Sequence, residues 1–76
     1  MDRFFGMMPS SEIEKEKYYK DEDGFKVNIQ AGTHGWSIIW ADSSSCYKDV
    51  DATTEENFKT AYDFAVSKVG SLKEIL

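Results

Sequence analysis

Two neighbouring segments of the chain carry the alternating pattern of an antiparallel hairpin. Residues 25–31 place apolar side chains at every second position, and residues 36–41 are rich in β-branched and aromatic side chains. The turn between them has a glycine at each end. Pairing across this turn sets Ile29 opposite Ile38, and a slip of one residue would bury the polar side chains of one strand. The apolar face then carries Phe25, Val27, Ile29, Trp36, Ile38 and Trp40.

Two further segments flank this hairpin. Residues 12–20 are highly charged, and their composition favours a helix, yet they show no apolar stripe at helical spacing. Because an acidic turn at 21–24 leads from them into the hairpin, we predict an edge strand whose charges discourage aggregation, with a helix as the alternative. After a serine-rich turn at 42–45, residues 46–50 are predicted to return as a short fourth strand.

The C-terminal part of the sequence predicts one amphipathic helix over about 54–69. Thr53 or Thr54 caps its start, two acidic residues follow at the positive end of the helix dipole, and Gly70 ends it. A further helical turn is expected within 71–76. Apolar side chains recur at intervals of three and four residues: Phe58, Ala61, Tyr62, Ala65, Val66 and Val69.

Together these elements predict an α+β fold in one small domain spanning residues 1–76. An antiparallel meander of three to four strands is expected to pack on the C-terminal helix, with residues 1–11 as an apolar N-terminal arm. Aromatic side chains would supply much of the core. The expected strands cover about 12–20, 25–31, 36–41 and 46–50.

The charge balance argues against several classes of partner. Nine Lys and Arg against fourteen Asp and Glu give a formal net charge of −5. Because surfaces that bind DNA or RNA need clustered cations, and the basic residues are dispersed along the sequence, we expect no direct nucleic-acid binding. The same acidity argues against an anionic membrane surface, and no apolar run approaches the roughly 20 residues that cross a bilayer. The first residues lack the apolar length of a secretion signal, which favours a cytoplasmic protein with a reduced Cys46.

The side chains that commonly carry catalysis are few. His34 and Cys46 are the only imidazole and thiol, and their expected places at opposite ends of the third strand separate them by roughly 20 Å. One Cys and one His cannot form a structural zinc site, the acidic turn at 21–24 does not fit a calcium loop, and the glycines match no phosphate-binding pattern. We therefore expect no catalytic residue, no metal and no cofactor. Four carboxylates near the helix start are expected to serve the turn and the helix dipole: Asp49, Asp51, Glu55 and Glu56.

The N-terminal arm is the candidate partner-binding segment. Phe4, Phe5, Met7 and Met8 place four large apolar side chains within five residues, where a free terminus normally gains nothing from them. Three alternatives remain open. The arm folds back over its own sheet and covers the region of Ile39 and Ala41, or it inserts into a second copy, or it docks on another protein, where methionine adapts to an irregular groove.

The order of the elements is similar to that of the HicB-type antitoxins. The similarity covers roughly residues 19–66 and includes the acidic hairpin turn, the alternating strand, a short strand and the run Thr53-Thr54-Glu55-Glu56-Asn57-Phe58 that opens the helix. The family has a Pro-Gly-Cys turn after the second strand, where this chain has Gly32-Thr33-His34-Gly35, and the 76 residues contain no DNA-binding extension. The resemblance implies a small sheet paired with one helix.

These observations favour a small acidic, non-enzymatic protein–protein interaction module. It would bind another protein or itself, as a homodimer, through the N-terminal arm and an exposed sheet edge. The alternative is an acidic, antitoxin-like inhibitor that masks a basic nucleic-acid-binding surface of its target by mimicking phosphates. The carboxylates available for such mimicry are Asp21, Glu22, Asp23, Asp49, Asp51, Glu55 and Glu56.

Overall fold

One antiparallel sheet and one long helix form an α+β fold in the computed structural model, which describes residues 10–41 and 43–75. The elements are a 3-10 turn at Ser10–Glu12, β1 at Lys15–Lys20, β2 at Lys26–Gly32, β3 at Gly35–Trp40, β4 at Ser43–Lys48, the helix α1 at Glu55–Val69 and β5 at Lys73–Ile75. The sheet order is β4-β3-β2-β1-β5, so the first four strands follow one another as a meander. The predicted fold class is confirmed, and a fifth strand is added.

The central hairpin has the predicted register. Ile29 lies opposite Ile38, and Val27 lies opposite Trp40. The two glycines that flank the turn pair with each other, so the loop itself contains only two residues. Because Val27, Ile29 and Ile38 have no solvent exposure, the register places the apolar side chains of both strands in one buried layer.

Helix α1 covers this layer by packing on β2 and β3. Phe58, Ala61 and Ala65 are its buried side chains, and their spacing of three and four residues is that of one helix face. Small alanines at the contact allow a helix to approach a sheet closely. The buried core comprises Tyr19, Val27, Ile29, Ala31, Trp36, Ile38, Ala52, Phe58, Ala61 and Ala65.

Phe25 was expected in this core, and that expectation is wrong, because its side chain is 58% exposed. The residue precedes β2 and closes the loop of the first hairpin. The N–H of Asp21 donates to the carbonyl of Phe25, and the N–H of Phe25 donates to the carboxylate of Asp21, each at 2.9 Å. Gly24 takes the left-handed position of this loop, with φ of 87°. The alternating pattern in the sequence therefore extends one residue beyond the strand.

The edge strand predicted at 12–20 and the helical turn predicted within 71–76 both need correction. The strand expected at 12–20 begins only at Lys15, because residues 10–12 form the 3-10 turn. It is not an edge strand along its whole length, since β5 pairs with Tyr18, Tyr19 and Lys20. The helical turn expected within 71–76 is therefore wrong. The N–H and hydroxyl of Ser71 both donate to the Glu22 carboxylate, at 3.2 and 3.1 Å, and this anchors the chain beside β1.

The fourth strand begins three residues earlier than predicted, at Ser43 instead of residue 46. The chain reverses direction at Ala41, which has a positive φ of 43°, so the serine-rich segment is part of the strand rather than the turn. Asp49, with φ of 69°, ends the strand before residue 50. β4 therefore runs back along all of β3 and pairs with it from Trp40 to Gly35.

Thr54 is the helix cap. Its hydroxyl accepts a hydrogen bond from the N–H of Asn57 at 3.2 Å. Asp51 holds the approach to the helix, because its carboxylate accepts from the N–H and the hydroxyl of Thr53, at 3.0 and 2.5 Å. These hydrogen bonds lower the pKa of the Asp51 carboxyl, since they stabilise its charged form. Gly70 follows the helix with φ of 88°.

Candidate interaction edge at strand β4

The outer edge of β4 presents backbone groups that the rest of the sheet does not use. The N–H of Asp49 donates to the carbonyl of His34 at 2.9 Å, and antiparallel pairs exchange hydrogen bonds only at every second residue. Tyr47 therefore bonds to β3, whereas the N–H and C=O groups of Cys46 and Lys48 point away from the sheet. Within residues 10–41 and 43–75, β3 is the only strand that pairs with β4.

This edge lacks the features that usually prevent strand pairing. Among the six residues of β4 only Lys48 is charged, there is no proline, and the register with β3 runs without a bulge. The opposite edge of the sheet differs, because β5 pairs with part of β1 there and Lys17 forms an ion pair with Glu74 at 3.4 Å. The stretch of this edge from Cys46 to Lys48 therefore has the features of a strand that can accept another strand.

An open aromatic cleft adjoins this edge on the side that faces the helix. The ring of Tyr47 stacks on Trp36, with centroids 5.9 Å apart. Trp36 is only 5% exposed, whereas Tyr47 is 58% exposed, because α1 packs on β2 and β3 and leaves the side chains of β4 accessible. The cleft has a volume of about 270 Å³ and is lined by Trp36, Tyr47, Val50, Asn57 and Thr60.

The walls of the cleft are held by the core and by the start of the helix. Phe64 packs against Trp36, with ring centroids 5.3 Å apart. The side-chain amide of Asn57 donates to the carbonyl of Asp51 at 2.8 Å. Tyr47 is therefore an exposed aromatic side chain that packs on a buried aromatic ring. Aromatic side chains of this kind often contribute much of the binding energy in protein interfaces.

The separation of roughly 20 Å expected between His34 and Cys46 is wrong. The structure brings the two residues closer together, but not to the distance of a catalytic pair. Since β4 starts at residue 43 and runs back along β3, Cys46 lies opposite Ser37, only three residues from the position opposite His34. This offset corresponds to about 10 Å rather than 20 Å, still outside hydrogen-bond reach. Across residues 10–41 and 43–75, no three His, Cys, Asp or Glu side chains cluster as metal ligands would.

The carboxylates proposed as a phosphate mimic fall into two groups at opposite ends of the helix. At the hairpin end, Asp21 accepts from the N–H groups of Asp23 and Phe25, and Glu22 binds Ser71. The other group surrounds the first turn of α1, about 20 Å away by the length of the helix. Several of these carboxylates are thus engaged in holding the turns.

The N-terminal candidates Phe4, Phe5, Met7 and Met8 lie outside the described residues. Ile39, the fifth candidate, is half-buried on the side of the sheet away from the helix, opposite Asn28 on β2. Sequence reasoning missed the cleft beside Tyr47. The signal was the uncharged run at 43–47, of which residues 43–45 were interpreted as a turn.

Comparison with known proteins adds no family. No family model matches the chain, and neither a curated protein nor a solved structure is significantly similar to it. The resemblance to the HicB-type antitoxins therefore has no support from these comparisons. Over the described part of the chain, no helix is both long enough and apolar enough to span a bilayer.

Proposed function

We propose that this chain is a small, non-enzymatic protein-interaction module that pairs with a second copy of itself along the edge of β4. The observation that carries the proposal is the exposed Tyr47 ring, stacked on buried Trp36 beside backbone groups that point out of the sheet. An edge strand with such groups is a template for another strand, and an aromatic cleft next to it provides apolar contact.

A two-fold antiparallel arrangement centred on Tyr47 satisfies both features. Cys46 of one copy then lies opposite Lys48 of the other, and each such pair exchanges two main-chain hydrogen bonds. The two Tyr47 residues come to face each other in a closely spaced pair, about 4.5 Å between Cα atoms. Their rings cover both clefts, so that each Tyr47–Trp36 stack is removed from water.

Strand pairing at β4 is expected to fail when the outward N–H of Cys46 is removed. In Cys46→Pro the lost N–H points away from β3, so the bonds within the subunit are kept. Cys46→Ser retains the N–H and serves as the matched control. Sedimentation equilibrium should show a dimer for the wild type and for Cys46→Ser, and at least about tenfold weaker association for Cys46→Pro.

A wild type that stays monomeric at every concentration would rule out this self-pairing. So would a Cys46→Pro protein that dimerises as well as Cys46→Ser. Salt adds a second criterion. Because each copy has a net charge of −5, added salt should leave the dimer unchanged or strengthen it, whereas an acidic inhibitor bound to a basic target loses affinity steeply.

The arm supplies the second part of the proposed module. We infer that its four apolar side chains pack on the helix-free face, the side of the sheet away from α1. The centre of this face holds Ile39, which is half-buried, and Ser37, which is fully buried. Deletion of residues 1–9 should therefore lower the melting temperature or change the sedimentation behaviour, because apolar contact is lost. A truncated protein unchanged in both measurements would remove the arm from the interaction surface.

A further inference from the structure

Three lysines form one row across the helix-free face of the sheet, at the end near the turn between β1 and β2. Lys20 on β1 lies opposite Lys26 on β2, and on its other side it lies opposite Lys73 on β5. Residues directly opposite each other on antiparallel strands project from the same face, with Cα atoms about 4.5 to 5.5 Å apart. All three side chains are exposed. The lysine row is defined by these three residues.

Taken by itself, the lysine row lowers the stability of the fold. Like charges directly opposite each other destabilise a sheet, and no described acidic side chain forms an ion pair with any of the three lysines. The ion pairs in the described part of the chain use Lys17 and Lys59 instead. The chain is acidic and has only nine basic residues, yet three of them lie side by side in this row and repel one another.

An apolar wall stands beside the lysine row. Tyr18 and Ile75 lie opposite each other in the adjacent position of the same face, and Tyr18 is 42% exposed. Together with Lys20 and Lys26 they line an open hollow of about 440 Å³. The ammonium group of Lys26 lies 5.8 Å from the centre of the Tyr18 ring. The hollow therefore combines positive charge with an aromatic and an aliphatic surface.

We propose that the lysine row binds a short acidic segment of a partner protein. Carboxylates of the segment lie across Lys73, Lys20 and Lys26, and an adjoining apolar side chain contacts Tyr18 and Ile75. Charge complementarity supports an anionic ligand, and the apolar wall favours a peptide over a bare anion. A nucleic acid fits less well, because the chain as a whole has fourteen acidic residues and only six basic residues outside the row.

This site is separate from the β4 edge. β4 and β5 lie at opposite edges of the sheet, and the two sites share only the premise of the proposed function, that the partner is a protein. Cys46→Pro should therefore bind an acidic peptide as well as the wild type does. A failure of strand pairing and a failure of the lysine row are distinguishable by this variant.

The test is fluorescence anisotropy with a labelled peptide of sequence Glu-Asp-Phe-Asp-Glu. The variant Lys20→Gln/Lys26→Gln/Lys73→Gln removes the row, and Lys15→Gln/Lys59→Gln/Lys68→Gln, outside both proposed sites, is the control with the same change in net charge. The row variant should lose about tenfold in affinity and the control about twofold or less. The melting temperature of the row variant should stay the same or rise by about 4 °C, because the repulsion is relieved.

Three results would overturn the proposal. The first is a wild type that does not bind the peptide, and the second is equal loss of affinity in the row variant and the control. The third is tighter binding of an oligodeoxythymidylate than of the peptide at the same row, which would make the ligand a nucleic acid. Should the triple variant unfold, the single variant Lys20→Glu gives the answer, since it places an acid between two lysines and should both weaken peptide binding and raise the melting temperature.

Discussion

Replacing Ile38 with alanine should lower the free energy of unfolding by about 3 kcal/mol, a large part of the stability of a domain of this size. Ile38 has no solvent exposure and lies opposite Ile29, also fully buried, in the layer that α1 covers. The truncation removes apolar contact and leaves a cavity that the neighbouring strand cannot fill. Urea unfolding followed by tryptophan fluorescence measures the loss.

Ile39→Ala is the matched control for this prediction. Ile39 is the next residue of the same strand, but it points to the helix-free face and is half-buried. Its truncation should cost about 1 kcal/mol or less. Equal losses for the two variants would contradict a one-sided core and would mean that the helix-free face is packed as tightly as the helix-covered one.

A side chain at position 35 is expected to separate β3 from β4. A Cβ atom built on Gly35 would overlap the carbonyl oxygen of Tyr47 and would lie 3.0 Å from the Cα of Lys48. These are backbone atoms, so the strands must move apart, and φ of 156° at Gly35 is rare for other residues. Gly35→Ala should therefore destabilise the fold by about 3 kcal/mol and disturb the Tyr47–Trp36 stack, which near-ultraviolet circular dichroism reports.

Gly24→Ala separates the effect of backbone conformation from that of close approach. Gly24 also has a positive φ, of 87°, but an added Cβ there meets nothing within 4 Å. This variant should lose about 1 kcal/mol and keep its aromatic circular dichroism. If Gly35→Ala were no worse than Gly24→Ala, the close contact between Gly35 and Tyr47 would not limit the pairing of β3 with β4.

The sequence predicted the elements whose local signals agree with one another. In the central hairpin, side-chain alternation and the glycine-bounded turn both select the pairing of Ile29 with Ile38. In the helix, the cap, the acidic first turn, the apolar stripe and the final glycine all mark the same segment, which begins after Thr54 and ends before Gly70. Where independent signals coincide in this way, few alternative structures remain.

The elements that were mispredicted depend on contacts distant in the chain. β5 is a strand because it pairs with β1, and Ser71 is anchored by Glu22, 49 residues earlier. Residues 43–45 favour a turn by composition, yet pairing with β3 makes them a strand. The candidate cleft and the lysine row were missed for the same reason, since both arise only when β4 and β5 are placed in the sheet.

Strand pairing at the edge of β4 is tested most directly by amide hydrogen exchange at Cys46 and Lys48. Their N–H groups point away from β3, so each should exchange rapidly in a dilute, monomeric sample. In a concentrated sample both should slow strongly, while the amide of Tyr47, bonded to β3, is protected in both. Rapid exchange at Cys46 and Lys48 in a sample that sedimentation shows to be dimeric would contradict pairing through β4.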